Sequence, residues 1–447
     1  MSTEMLIAGA TLPNGDVSDI LIRDGVIAEL GAGLKSSTAE RIDATGLRVL
    51  PGLVDLHTHL REPGFESSET VLTGTRAAAA GGFTTVFAMA NTNPVADTAG
   101  VVEQVWQRGV EAGYATVRPI GAVTVGLEGQ TLADLAGMAN SRAHVRVFSD
   151  DGKCVFDPLV MKRALEYVSG FDGVIAQHAQ DPRLTIGSQM NEGVVSARLG
   201  LTGWPNVAEE MIIARDVLLA EYTGARLHVC HLSTAGSVDI VRAAKARGVK
   251  VTAEVTPHHL LLTDEQVLGY DARYKVNPPL RSQEDVLAVR AGLADGTIDI
   301  VATDHAPHPI ETKECEWSDA AFGMVGLETA LSIVALTMVD TGLLEWADVA
   351  RVLSTSPANI GGIADVAGEI AVGRPADLAF VDPSVRTTFS VEHLAGTSRN
   401  SPYIGIELPV RVVHTVRHGY FTVRDGAVVA EDTVAASARA QSKKGER

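Results

Sequence analysis

His57 and His59 stand two positions apart at the end of the apolar run LVDLHTH. On a strand, side chains at i and i+2 leave the same face, so both imidazoles can reach one ion while Thr58 points away. Alone, the pair is a weak sign, because two such histidines are more often satisfied by hydrogen bonds. Its meaning changes with His178, His231 and Asp304, each of which ends another apolar run. Imidazole nitrogens and carboxylate oxygens suit zinc, with manganese or cobalt as substitutes. Four imidazoles and a carboxylate are too many for one tetrahedral ion, and a second ion needs a shared group. The stretch FSDDG supplies Asp150 and Asp151 for that purpose. They face opposite ways on a regular strand, so at most one bridges and the other caps or pairs locally. Lys153, which as a carbamate would be another kind of bridge, falls in a Gly-containing turn beyond the strand end.

Residues almost 250 positions apart must be gathered by elements that end in one place. Eight strand candidates can be read: RVLPGLVDLHTH, FTTVFAMAN, ATVRPIGAV, HVRVFSD, GVIAQHA, RLHVCHLS, KVTAEVTPHH and IDIVATDHAP. Between them lie helical segments such as GVVEQVWQRGVEAG, DPLVMKRALEYVSG and SQEDVLAVRAGLADG, several opened by Asp, Ser or Thr and closed by Gly. Eight βα units predict a (β/α)8 TIM barrel, whose strands all deliver their C-terminal ends to one mouth. His57, His59, Asn91, Asn93, Asp150, Asp151, His178, His231, His258 and Asp304 all fall at such ends; the third strand offers nothing comparable. His258 and His259 are expected to be structural, and Cys230 to face away from its neighbour His231.

The chain ends read differently. SDILIRDGVIAEL and YFTVRDGAVVAE alternate around Asp-Gly, a hairpin pattern, and predict one small β-sandwich domain assembled from both termini rather than two separate appendages. The expected division is residues 1–50 and 366–447 for that domain and 51–365 for the barrel. A net charge of −18, without a basic run before the tail SKKGER, argues against a nucleic-acid partner. The start lacks a basic region followed by an apolar stretch, and no eighteen apolar residues run together, so neither a secretory signal nor a membrane span is expected, and the cytoplasm is the expected compartment. Three cysteines without a CxxC fit reduced thiols, which leaves nitrogen and oxygen to hold any metal.

The order HxH, bridging position, His, His, Asp along the strands resembles the amidohydrolase superfamily. Within it, HTHLREPG, MANTNP, FSDDG, VNPPLR, TDHAPH and AFGMVGLET together resemble the dihydroorotases of the bacterial class I type. The resemblance implies a binuclear centre of two zinc ions, with His57, His59 and Asp304 on one, His178 and His231 on the other, and Asp151, rather than Asp150, shared. It further implies that Arg61, Asn93 and His308 hold a substrate carboxylate, and that Asn277 and the backbone at Phe322 and Gly323 contact the ring. Arg61 has a plainer reading, an ion pair with Glu62 or Glu66. The implied activity is reversible cyclisation of N-carbamoyl-L-aspartate to L-dihydroorotate, with Asp304 moving the proton and the loop around His308 acting as a lid. Hydantoinases, dihydropyrimidinases and allantoinases are the nearest alternatives. A homodimer and a complex with aspartate carbamoyltransferase are the partner states that the resemblance admits; a non-catalytic scaffold of that transferase is the more distant alternative.

Overall fold

The computed structural model describes residues 4–445. Eight parallel strands, Leu53–Thr58, Phe83–Ala88, Thr116–Pro119, Val147–Phe148, Val174–Gln177, Arg226–Val229, Val251–Val255 and Ile300–Val301, pair in chain order. Two junctions are single bridges, Gly121 with Phe148 and Thr58 with His305, and the second closes the eighth strand onto the first. A helix follows each strand. Thr70, Asp157, Thr234 and Ser282 cap four of them, their side-chain oxygens accepting backbone N–H groups that have no partner within the helix.

The strands carry two apolar faces. Leu53, Phe83, Val117, Ile175, Leu227 and Val251 pack outward under the helices, while Val54, Leu56, Phe87, Val147, Val174 and Ile300 fill the interior. The barrel is therefore a packed core, and polar side chains can gather only where its strands end.

Both chain ends contribute to one nine-stranded sheet. Leu378–Thr388 pairs antiparallel with Arg48–Pro51, which joins the C-terminal strands Glu407–Arg417, Tyr420–Arg424 and Ala427–Val428 to the N-terminal strands Glu4–Thr11, Val17–Arg23, Val26–Gly31 and Glu40–Asp43. Each Asp-Gly turn has positive φ at both residues, Asp24 (50°) with Gly25 (84°) and Asp425 (52°) with Gly426 (77°), as a type I′ hairpin requires. The sheet curls until Ile27 N–H donates to Arg374 O at 2.9 Å. Met5, Ile7, Ile20, Ile42, Leu378 and Phe380 fill the space so enclosed. Its other face sends Ala379, Val381 and Val410 into the barrel's core, and Thr415 Oγ1 donates to Ala79 O at 2.8 Å. Among the described residues no helix is long and apolar enough to cross a membrane.

Candidate metal centre

The strand ends bring His57, His59, Asp151, His178, His231 and Asp304 into one buried cluster. Two groups of its ligand atoms each lie within 4.8 Å of one another: His57, His59 and Asp151, and Asp151, His178 and His231; His57 also forms a third such group with Cys230 and Glu254. Asp151 belongs to the first two. Its Oδ1 lies 3.4 Å from His57 Nε2, 3.1 Å from His178 Nδ1 and 3.2 Å from His231 Nε2, and its Oδ2 lies 3.3 Å from His59 Nε2. Asp304 Oδ1 lies 3.1 Å from His59 Nε2 and 3.5 Å from His57 Nε2.

This donor set fits divalent ions. His57 Nε2 is buried without a hydrogen-bond partner, and His178 Nδ1 and His231 Nε2 approach to 2.9 Å while both face the same Asp151 oxygen, so ring nitrogens and carboxylates converge on one shared space. Burial alone would raise the pKa of both carboxyls, yet His57 and its neighbouring imidazoles outweigh it and hold Asp151 and Asp304 below the usual range, in the ligating form.

The sequence pattern marks Asn91 only as a strand-end residue and does not reveal which groups aim the rings. Glu254 Oε1 lies 2.6 Å from His57 Nδ1 and accepts His231 N–H at 3.1 Å. Asn91 Oδ1 meets His59 Nδ1 at 2.9 Å, and Gln180 Oε1 meets His178 Nε2 at 2.7 Å. Each contact directs the other ring nitrogen at the cluster. For Glu254 there was a signal, a lone carboxylate inside the buried strand VTAEV.

Cys230 departs from expectation. It packs in the barrel interior, with Sγ within 4.8 Å of ligand atoms of His57 and Glu254, rather than facing away from His231. Alternation fails because the strand stops at Val229 and His231 takes φ 30°. Asp304 (φ 45°) and Arg61 (φ 63°) also occupy the left-handed region, which costs a non-glycine residue of order 1–3 kcal/mol and needs firm surroundings to persist.

Asp150 turns away from the cluster, its Oδ1 accepting Val123 N–H at 2.8 Å and Thr124 N–H at 3.0 Å. Lys153 is exposed. His259 is tied to Thr256 Oγ1 at 2.8 Å and Pro279 O at 3.2 Å; His258, pushed down to about 4 by burial, leaves its Nε2 without a hydrogen-bond partner.

Around the mouth, Arg61 pairs with neither glutamate. Glu62 is taken by Arg108, and Glu66 accepts Gly64 N–H. Arg61 Nε instead donates to Pro307 O at 3.1 Å, and its Nη2 lies 3.3 Å from His308 Nε2. His308 Nε2 also lies 2.8 Å from Phe322 O, which can only accept, so the ring carries its proton there. Burial first, then Arg61, pushes the imidazole down to about 3, so it is neutral and Arg61 Nη2 keeps its donors free. Asn277 Nδ2 donates to Gln180 Oε1 at 3.1 Å, and its own Oδ1 is buried without a hydrogen-bond partner. Asn93 is not drawn in: its backbone N–H donates to Pro63 O at 2.9 Å while its side chain is exposed.

Residues 46–237 match the family model described as dihydro-orotase-like, and residues 207–422 match the amidohydrolase family. The chain is 69% identical to a dihydroorotase of Leifsonia xyli subsp. xyli, over 96% of this chain and 98% of the relative. It is 64% identical to a dihydroorotase of Streptomyces coelicolor (95% and 99% covered) and 54% identical to one of Mycobacterium tuberculosis (93% and 96% covered). Among solved structures it is similar to an L-hydantoinase (dihydropyrimidinase) of Arthrobacter aurescens, with a TM-score of 0.86 at 25% identity over 96% and 98% of the two chains. A dihydropyrimidinase of Brevibacillus agri gives 0.82 at 24% identity, with 96% of each chain covered, a likeness of fold alone.

Proposed function

The chain belongs to the dihydroorotase family of the amidohydrolase superfamily, metal-dependent hydrolases, and from that premise we propose how its residues divide the work of pyrimidine biosynthesis. The reaction is reversible cyclisation of N-carbamoyl-L-aspartate to L-dihydroorotate. The observation that carries the site reading is Asp151, common to two groups of ligand atoms. Two zinc ions per chain would be held there, His57, His59 and Asp304 serving one, His178 and His231 the other, with the Asp151 carboxylate available to both. When bound, such ions polarise the carbonyl under attack and make a water acidic enough to attack it near neutral pH.

The chain's own groups do the rest. Asp304, ionised and buried beside His59, takes the proton of the attacking water and passes it to the departing ring nitrogen. In ring closure the same carboxyl starts protonated. Arg61 points its free Nη2 donors at the substrate carboxylate. His308 Nε2–H leaves Phe322 O for that carboxylate, which releases the Phe322 carbonyl to accept a ring N–H. Asn277 and the Gly323 backbone hold the rest of the ring.

A carboxylate-binding pair sets this site apart from that of an enzyme acting on an uncharged ring. Arg61→Met should therefore lower kcat/KM for dihydroorotate by roughly 2 to 5 kcal/mol in activation free energy while scarcely affecting dihydrouracil, which has no carboxylate to lose. Side-by-side hydrolysis assays on the two substrates test this. Wild-type enzyme as active on dihydrouracil as on dihydroorotate would sink the substrate assignment.

A further inference from the structure

The loop of residues 305–323 carries His308 near its start and Phe322 and Gly323 at its end. Its two legs lie side by side, with His305 bridged to Met324 and Ala306 N–H donating to Met324 O at 2.9 Å. Lys313, in the middle of the loop, does not face solvent. Its side chain is buried, and Nζ reaches Ala321 O at 2.7 Å, Gly323 O at 2.8 Å and Lys275 O at 3.2 Å. The same Lys275 carbonyl accepts Gly323 N–H at 2.9 Å, and the Lys275 ammonium sits 4.5 Å from the Phe322 ring centroid. Lys275 is two residues from Asn277, so one amine ties the return leg of the loop to the segment bearing another ring contact. Asn400 braces the neck, donating to Ala306 O and Gly323 O and accepting His308 N–H.

We propose that Lys313 is the positioning residue of the substrate-binding loop: by gathering the Ala321, Gly323 and Lys275 carbonyls it sets Phe322 and Gly323 in register with Asn277, so that the two ring-contacting segments act as one. The functional part rests on the reading that Phe322, Gly323 and Asn277 touch the ring. Among the described residues no carboxylate forms an ion pair with Lys313. The charged and titratable groups facing it are Lys275 and Asp271 from the neighbouring segment and Cys315 and His308 from its own loop. Burial, then Lys275, pushes the Lys313 amine down to about 7. A neutral amine keeps two N–H groups, enough for its two shorter contacts, and Lys275 O retains Gly323 N–H. With the loop open, the amine returns to its ordinary value of about 10.4. The closed loop therefore binds fewer protons than the open one between these values, so closure strengthens as pH rises through that interval and weakens as pH falls toward 7.

Hydrogen exchange at the Gly323 amide, read on the full-length enzyme without substrate, tests this independently of catalysis. After correction for intrinsic rates, wild-type protection should grow from pH 7 to 9. K313R stays charged in both states and should lose that growth. K313M should exchange about tenfold faster and raise KM for dihydroorotate about tenfold, with kcat within about threefold of wild type. K313M with wild-type exchange and KM, or K313R retaining the wild-type pH trend, would overturn the proposal. An enzyme inert toward dihydroorotate would remove the substrate reading, while the exchange data would still decide what Lys313 does to the loop.

Discussion

Asp304→Asn should bind substrate yet turn over about 10²- to 10⁴-fold more slowly in both directions, the range associated with losing a positioned proton carrier. The amide keeps the shape of the side chain and an oxygen that can ligate, so a metal count close to wild type separates this loss from collapse of the centre. In the wild type the two directions should mirror each other in pH. Hydrolysis needs Asp304 ionised, the form its surrounding imidazoles already hold well below neutral pH, and ring closure needs it protonated, so the rise of one rate and the fall of the other follow the proton it shares with its coupled neighbours. The titration belongs to the carboxyl and its coupled neighbours together rather than to Asp304 alone. Initial rates both ways from about pH 5 to 10 decide the matter. Parallel profiles, or near-normal turnover in the mutant, would remove Asp304 from the proton path.

Asp151→Ala should lose at least one of two divalent ions and nearly all activity, because its carboxylate is the group the two histidine pairs have in common. Asp150→Ala is the matched control. Asp150 anchors the Val123–Thr124 backbone, so its loss should cost about 1–3 kcal/mol of stability by leaving buried N–H groups unpaired, while both ions stay bound. Elemental analysis of the purified variants reads the difference directly. Two ions in Asp151→Ala would exclude it as the bridge. Chelation of the wild type should abolish turnover and added zinc should restore it.

The parts of this site that were legible in the sequence are those governed by short-range geometry. His57 and His59 declare themselves through the two-residue period of a strand, and the Asp-Gly turns announce hairpins because positive φ at both positions demands such residues. Spacing could not choose between Asp150 and Asp151. That choice depends on where the chain leaves the short strand Val147–Phe148, a tertiary matter. The same limit hid the ring-aiming role of Asn91, Gln180 and Glu254, each of which meets its histidine only once separate strands are side by side. Cys230 escapes strand alternation because that alternation ends one residue earlier, ahead of a backbone bend at His231. Arg61 had two local glutamates to pair with, and Arg108, on the helix Ala99–Ala112, takes the nearer one.

The pairing of Arg48–Pro51 with Leu378–Thr388 bears on how the chain is made. The edge that must be covered leaves the ribosome more than 300 residues before the strand that covers it. At 5–20 residues per second that is an interval of roughly 15 to 65 s. The early barrel strands can pair in that time, but Arg48–Pro51 still presents unpaired backbone groups, a template for a neighbouring nascent chain. Overproduction should therefore be limited by aggregation through this edge, and a slower initiation rate or a chaperone that binds extended segments should raise the yield of folded protein.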